Sequence, residues 1–171
     1  KPAEIDLIRL AGRLHDVGKL AVPEDLLRRE GALTAREREL LERHPQTGHN
    51  MLEPLGVEPI GSWVLHHHER WDGSGYPAGL AGYEIPIGAR ILCACESLDA
   101  MTSSRSYRPA LGYQEAADEL RRSSGTQFDP AVVAALLEEL EQAGRILTVL
   151  GGNGRSRAYA IEQVPPAEAA L

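Results

Sequence analysis

Apolar residues recur every three or four positions along most of this chain, and strict alternation appears only near its C-terminal end. Residues 3–15 carry Ile5, Leu7, Ile8, Leu10, Ala11 and Leu14 at helical spacing. Gly18 stops that helix just beyond His15-Asp16. Pro23 to Glu30 reads as a short helix, with Pro at its start and Gly31 just past its end. Thr34 and Glu37 form a capping-box pair that opens a helix running to about Arg43. A further helix starts after Pro45, and another covers roughly residues 58–68. Gly73, Gly75 and Pro77 then exclude helix, so residues 69–85 read as a shaped loop. Pro86 opens a long helix to about Thr102, and Tyr113 to Arg122 is helical. Asp129-Pro130 is an N-cap followed by Pro at the first helical position. It begins a helix with Val132, Val133, Leu136, Leu137 and Leu140 on one face.

The pattern therefore predicts an all-α helical bundle over residues 1–143. Residues 144–163 form a C-terminal extension of different character. Within it, Arg145–Val149 and Arg157–Ile161 are β-like runs joined by Gly151-Gly152-Asn153-Gly154, the signal of a short hairpin. Residues 164–171 read as a disordered tail. No internal repeat is visible.

Composition narrows the function. The chain has 171 residues, 43% of them hydrophobic and only 5% aromatic, so Leu, Ile, Val and Ala must fill the core. A net charge of −7 argues against a nucleic-acid polymer or an anionic membrane as partner. It leaves room for a small anionic substrate, because metal ions and a few placed cations can reverse a local field. No apolar run approaches the ~20 residues of a membrane span. Cys93 and Cys95 lie two apart in a helix, point to different faces and cannot bridge each other. They read as small buried hydrophobes of a reducing, cytoplasmic compartment.

The candidate chemistry sits on histidines. His66-His67-His68 is a run that a core seldom needs, and neutral imidazole is a common ligand for Fe, Mn and Zn. His15, Asp16, His44, His67, His68 and Glu96 come from helix ends 20–30 residues apart for the most part, and a bundle can bring such ends to one level. Asp16 would bridge two ions, with His15 on one of them and His67 and His68 divided between them. The imidazole–carboxylate mix favours Fe or Mn over Zn. Two such ions would clamp a phosphate oxygen for in-line attack on a phosphodiester. Each residue also has a plainer reading. His15 and His44 could be helix-end histidines, and Asp16 could cap the turn into Gly18. Glu96 sits on a mostly apolar helix and needs a partner or a metal to be tolerated there. His66 reads as a packing or supporting residue, His49 as a surface or supporting one, and Asp99 as a structural hydrogen-bonding residue. Lys19, Arg105 and Arg108 are the candidate phosphate contacts, their alternative being solvated surface charge.

In order and spacing, HDVGK, LTAREREL, HPQTG, HHERWDGSGYPAGL, IPIGARIL, DAMTSSRSYRP and SGTQFDP resemble the HD-GYP family over residues 8–135. The resemblance implies an HD-type helical bundle and a bacterial, metal-dependent phosphodiesterase. Such enzymes hydrolyse the second messenger cyclic di-GMP to the linear dinucleotide or on to GMP, with two or three Fe or Mn ions. It places metal ligands on His15, Asp16, His44, His67 and His68, and catalytic roles on Asp16 and Lys19. Substrate contacts fall on Lys19, Arg105 and Arg108. Gly75-Tyr76-Pro77 shapes the substrate side and offers contacts to diguanylate cyclase (GGDEF) domains. A sensory or receiver domain is expected upstream. Two features depart from the family pattern. Glu96 stands where Asp is usual, and no histidine precedes His15, where the family has a ligand-bearing helix. On that basis the chain is expected to lack the domain's first helix and to be weakly active alone. A non-catalytic nucleotide- or partner-binding module of the same fold, and an HD hydrolase acting on another phosphoester, are the alternatives.

Overall fold

A computed structural model describes residues 2–29, 31–104 and 109–146. Among them run eight α-helices: α1 (Pro2–Leu14), α2 (Glu24–Leu27), α3 (Ala35–Leu41), α4 (His44–Leu52), α5 (Ile60–His66), α6 (Ile87–Thr102), α7 (Tyr113–Arg122) and α8 (Pro130–Gln142). Short 3-10 turns at Val17–Ala21, Glu53–Leu55 and Gly82–Glu84 connect them. The all-α expectation holds. The expected hairpin and tail lie outside the described residues, apart from Arg145 and Ile146 at the start of the first run.

Local signals set most helix boundaries. Thr34 Oγ1 accepts from the Glu37 N–H while Glu37 accepts from the Thr34 N–H, the reciprocal cap read from the sequence. Asp129 caps α8 by accepting from the Ala131 N–H at 2.8 Å. The helix expected to start after Pro45 begins at His44, with Pro45 in its first turn.

Two faces of α6 organise the core. On one, Leu92 joins Ala11 of α1 with Ile60, Trp63 and Val64 of α5 and Leu52 of α4. Burial of each large side chain there contributes about 1.5–3 kcal/mol. On the other, Cys93 and Ala94 meet Leu120, Phe128 and Val133. Gly88 lets α6 press onto α5, because a Cβ there would lie 2.0 Å from the Trp63 ring. Ile5 and Leu10, part of the α1 stripe, face solvent. Cys93 is buried as expected, but Cys95 is exposed, since it turns to the open side of α6. No helix among the described residues is long and apolar enough to cross a membrane.

Candidate metal centre

Three helix ends meet at one level. His15 follows α1, His44 opens α4 and His67 follows α5. Each ring is held the same way. His15 Nδ1–H donates to the Gly12 carbonyl at 2.7 Å, His44 Nδ1–H to Leu41 at 2.8 Å, and His67 Nδ1–H to Val64 at 2.6 Å. A carbonyl only accepts, so these bonds put the proton on Nδ1 and leave each Nε2 with a bare lone pair.

Those lone pairs converge on other acceptors. His44 Nε2 lies 3.4 Å from His67 Nε2 and 3.4 Å from Asp16 Oδ1. His15 Nε2 lies 3.5 Å from Asp16 Oδ2. Asp16 Oδ1 is buried and accepts no hydrogen bond among the described residues. Protonated His44 could satisfy it, but burial pushes the His44 pKa down, which keeps the ring neutral. Burial takes His67 down to about 4 and, with the neighbouring His67, takes His68 to about 2. Asp16, by contrast, keeps its charge. Burial would raise its pKa, but the Lys19 ammonium, bonded to Oδ2 at 2.7 Å, holds it below the usual range.

Neutral imidazoles and an ionised carboxylate facing one another are a cation's donor set, so these residues fit a divalent metal. Their ligand atoms fall into two groups, each within 4.8 Å: His44, His67 and His68, and His15, Asp16 and Glu96. His67 and His68, expected to divide between two ions, both fall with His44. Asp16 stands between the groups, with Oδ1 toward His44 and Oδ2 toward His15.

Glycines allow the approach. A Cβ on Gly18 would lie 2.0 Å from the His44 carbonyl oxygen and 2.5 Å from the Gly48 nitrogen. The turn bearing Lys19 therefore packs directly on the α4 backbone. Beyond the ligands opens a cleft of about 460 Å³, lined by His15, Asp16, Lys19, Cys95, Glu96 and Asp99 among others.

The Gly75-Tyr76-Pro77 loop folds back on the centre. Tyr76 stacks on His68 at 4.9 Å between ring centroids, and its N–H donates to the His68 carbonyl at 3.3 Å. Gly75 has no room for a side chain, since a Cβ would sit 2.4 Å from Arg70 N. Burial raises the Tyr76 pKa, so the phenol keeps its proton. Glu69 carries no role in the sequence reading, yet its buried carboxylate accepts from the Ala78 N–H at 2.7 Å and the Leu80 N–H at 3.2 Å. The available signal was a carboxylate at the head of a Gly- and Pro-rich loop, whose N–H groups no helix pairs. Also unforeseen was Arg90, which pairs with buried Asp129 at 2.6 Å and lies over Trp71 and Tyr83. His66 Nδ1 sits 3.6 Å from Glu69, beside the anchor and away from the ligand groups. Arg105 and Arg108 lie outside the described residues.

The HD domain family profile matches residues 1–132. The cyclic di-GMP phosphodiesterase response regulator RpfG of Xanthomonas campestris pv. campestris is 41% identical over 145 residues, 81% of this chain and 38% of that protein. The 3'3'-cGAMP-specific phosphodiesterase 2 of Vibrio cholerae is 36% identical over 143 residues, 82% of this chain and 27% of that protein. The chain thus spans well under half the length of these relatives. Among solved structures, Bd1817, a HDG"Y"P protein from Bdellovibrio bacteriovorus, shares the fold. It has a TM-score of 0.65 at 20% identity, covering 82% of this chain and 45% of that one.

Proposed function

Because the chain belongs to the HD domain family, in the HD-GYP branch its motifs resemble, we propose that it carries out metal-dependent hydrolysis of cyclic di-GMP. The product would be the linear dinucleotide or GMP, in cytoplasmic second-messenger signalling. The observation that carries this reading is the convergence of bare imidazole nitrogens on the Asp16 carboxylate, an arrangement that divalent cations stabilise.

In this proposal His44, His67 and His68 hold one Fe or Mn ion, and His15, Asp16 and Glu96 hold another. When bound, such ions polarise a phosphoryl oxygen and lower the pKa of a coordinated water. The chain's residues do the rest. Asp16 stays ionised across the working pH because the Lys19 ammonium favours its charge. Lys19 also stands in the cleft wall, where its remaining N–H donors suit a phosphodiester oxygen. Arg105 and Arg108 are proposed as further phosphate contacts. Tyr76, protonated and stacked on His68, closes the rim, and its loop is the proposed contact for a diguanylate cyclase domain.

Hydrolysis of another cyclic dinucleotide is the second reading, and the Vibrio cholerae relative's name favours it. The test is product analysis with cyclic di-GMP and 3'3'-cGAMP, under reducing conditions with Mn(II) or Fe(II). Linear dinucleotide or GMP should appear from cyclic di-GMP, cease on chelation, and cease in Asp16→Ala. Arg105→Ala should raise KM about tenfold or more, the effect of one lost charge-assisted bond. Product formation that survives complete chelation would overturn the proposal.

A further inference from the structure

A second chamber lies on the other side of Glu96 from the Lys19 cleft. It measures about 280 Å³ and is lined by His68, Arg70, Tyr76, Cys93, Ser97 and Gln127, among others. That is just under the ~300–1,000 Å³ of pockets holding whole drug-sized ligands, which suits a single ring system. Its floor is apolar, and its polar groups are few and placed.

Arg70 and Gln127 sit on one fixed wall. The Trp71 N–H donates to the Gln127 carbonyl at 3.1 Å and the Asp72 N–H to the Thr126 carbonyl at 2.8 Å, so the loop and the α7–α8 connection are stitched backbone to backbone. The Arg70 guanidinium is already oriented. Its Nε donates to Ser74 Oγ at 2.8 Å, and Nε and Nη2 reach Asp72 at 3.3 and 3.1 Å. Nη1 takes no part in those bonds. Gln127, whose backbone carbonyl accepts from the Trp71 N–H, lines the chamber, and a glutamine amide offers both a donor and an acceptor.

We propose that this chamber is a guanine-selective base subsite, read by Arg70 and Gln127. The inference rests on the cyclic-dinucleotide reading above and adds the base specificity. Guanine offers O6 and N7 as two adjacent acceptors, the pattern an arginine donates to. Adenine puts an amino donor where O6 would be, and that donor would face the Arg70 cation. Guanine also carries the donor N–H groups that the Gln127 amide oxygen accepts.

The experiment compares kcat/KM for cyclic di-GMP and cyclic di-AMP in the metal-loaded chain, and titrates GMP and AMP by calorimetry. Wild type should favour guanine in both. Gln127→Ala, which leaves the loop's own bonds intact, and Arg70→Lys should each cut that preference about tenfold, the low end for one base contact. A wild-type chain that binds GMP no better than AMP overturns the subsite. So do variants that slow both substrates by one factor. If no cyclic dinucleotide is hydrolysed but the GMP preference is present and is lost in Gln127→Ala, the subsite stands and the phosphodiesterase reading falls. If hydrolysis proceeds and both variants keep the wild-type base preference, the reverse holds.

Discussion

His44 and His67 meet Nε2 to Nε2 at 3.4 Å, although neither nitrogen has a proton to give the other. In a buried space two lone pairs at that distance repel, and the packing of α4 against α5 holds them there. The free energy of cation binding is therefore available as folded-state stabilisation.

Removing metal should lower stability measurably. After chelation, adding Mn(II) to a hundred times its Kd should restore about 2.7 kcal/mol. Asp16→Asn keeps the side chain's size but removes the charge that faces both ligand groups. Thermal melts with and without Mn(II) should show the metal-induced upshift largely gone in this variant. An upshift equal to wild type would remove Asp16 from the metal-holding set.

Stability of the metal-free chain should fall as pH drops from 6.5 toward 4. His67 is held neutral down to about 4 in the folded chain, whereas in the unfolded chain it takes a proton near 6.5. The unfolded state therefore binds more protons in that window, and acid favours it by about 1.4 kcal/mol per pH unit for each such histidine. His68, at about 2, adds to the slope. Denaturant midpoints across pH 4–7.5 in chelator check this, and a flat profile would contradict the buried neutral assignment.

Gly18→Ala should disturb fold and centre together. The added methyl would meet the His44 carbonyl oxygen at 2.0 Å, and backbone cannot rotate away as a side chain can. Overpacking costs about 1–3 kcal/mol, a drop in Tm of roughly 2–12 °C for a chain of this size. Metal content should fall as well. A variant with wild-type Tm and metal content would mean that the turn and α4 stand further apart.

Glu69→Gln should loosen the loop without touching a metal ligand. The substitution replaces one accepting oxygen by an NH₂ facing an N–H, and charge-assisted bonds of this kind contribute about 1.5–3 kcal/mol each. Amide hydrogen exchange at Ala78 and Leu80 should accelerate while α4 and α5 keep their protection. Unchanged exchange at those two amides would show that something else anchors the loop.

Arg90→Met should be more damaging than its position suggests. It strands the buried Asp129 carboxylate, and losing one partner of a buried pair costs about 3–5 kcal/mol. The urea midpoint should drop with the slope unchanged, the mark of altered stability alone. A midpoint within error of wild type would show that solvent already compensates Asp129.

The helices were legible because caps and periodicity are local. Thr34–Glu37 and Asp129-Pro130 each carry their message within four residues, and α7 spans Tyr113–Arg122 as the pattern predicts. The histidines were legible as a set because imidazole is rare and their spacing matches a known motif order. What stayed hidden depends on tertiary partners. Nothing near Arg90 in the sequence announces Asp129, 39 positions away, or the ring faces of Trp71 and Tyr83. The proximity of His67 and His68 to one another could not be read from the sequence, because two adjacent residues on a helix normally diverge. Here α5 ends at His66, and the turn beyond it brings both rings beside His44.

The three Nδ1–H bonds carry one more consequence. Each histidine takes its orientation from a carbonyl three residues back, at Gly12, Leu41 and Val64, and a carbonyl is common to every amino acid. The aim of the imidazoles is thus written in main-chain torsions and not in the identity of any neighbouring side chain. Position 12 shows the latitude this leaves, since a methyl there would make only ordinary contact with Leu92 at 3.9 Å. Residues 12, 41 and 64 are free to drift during evolution to whatever helix packing tolerates, while the imidazoles they steer stay on target.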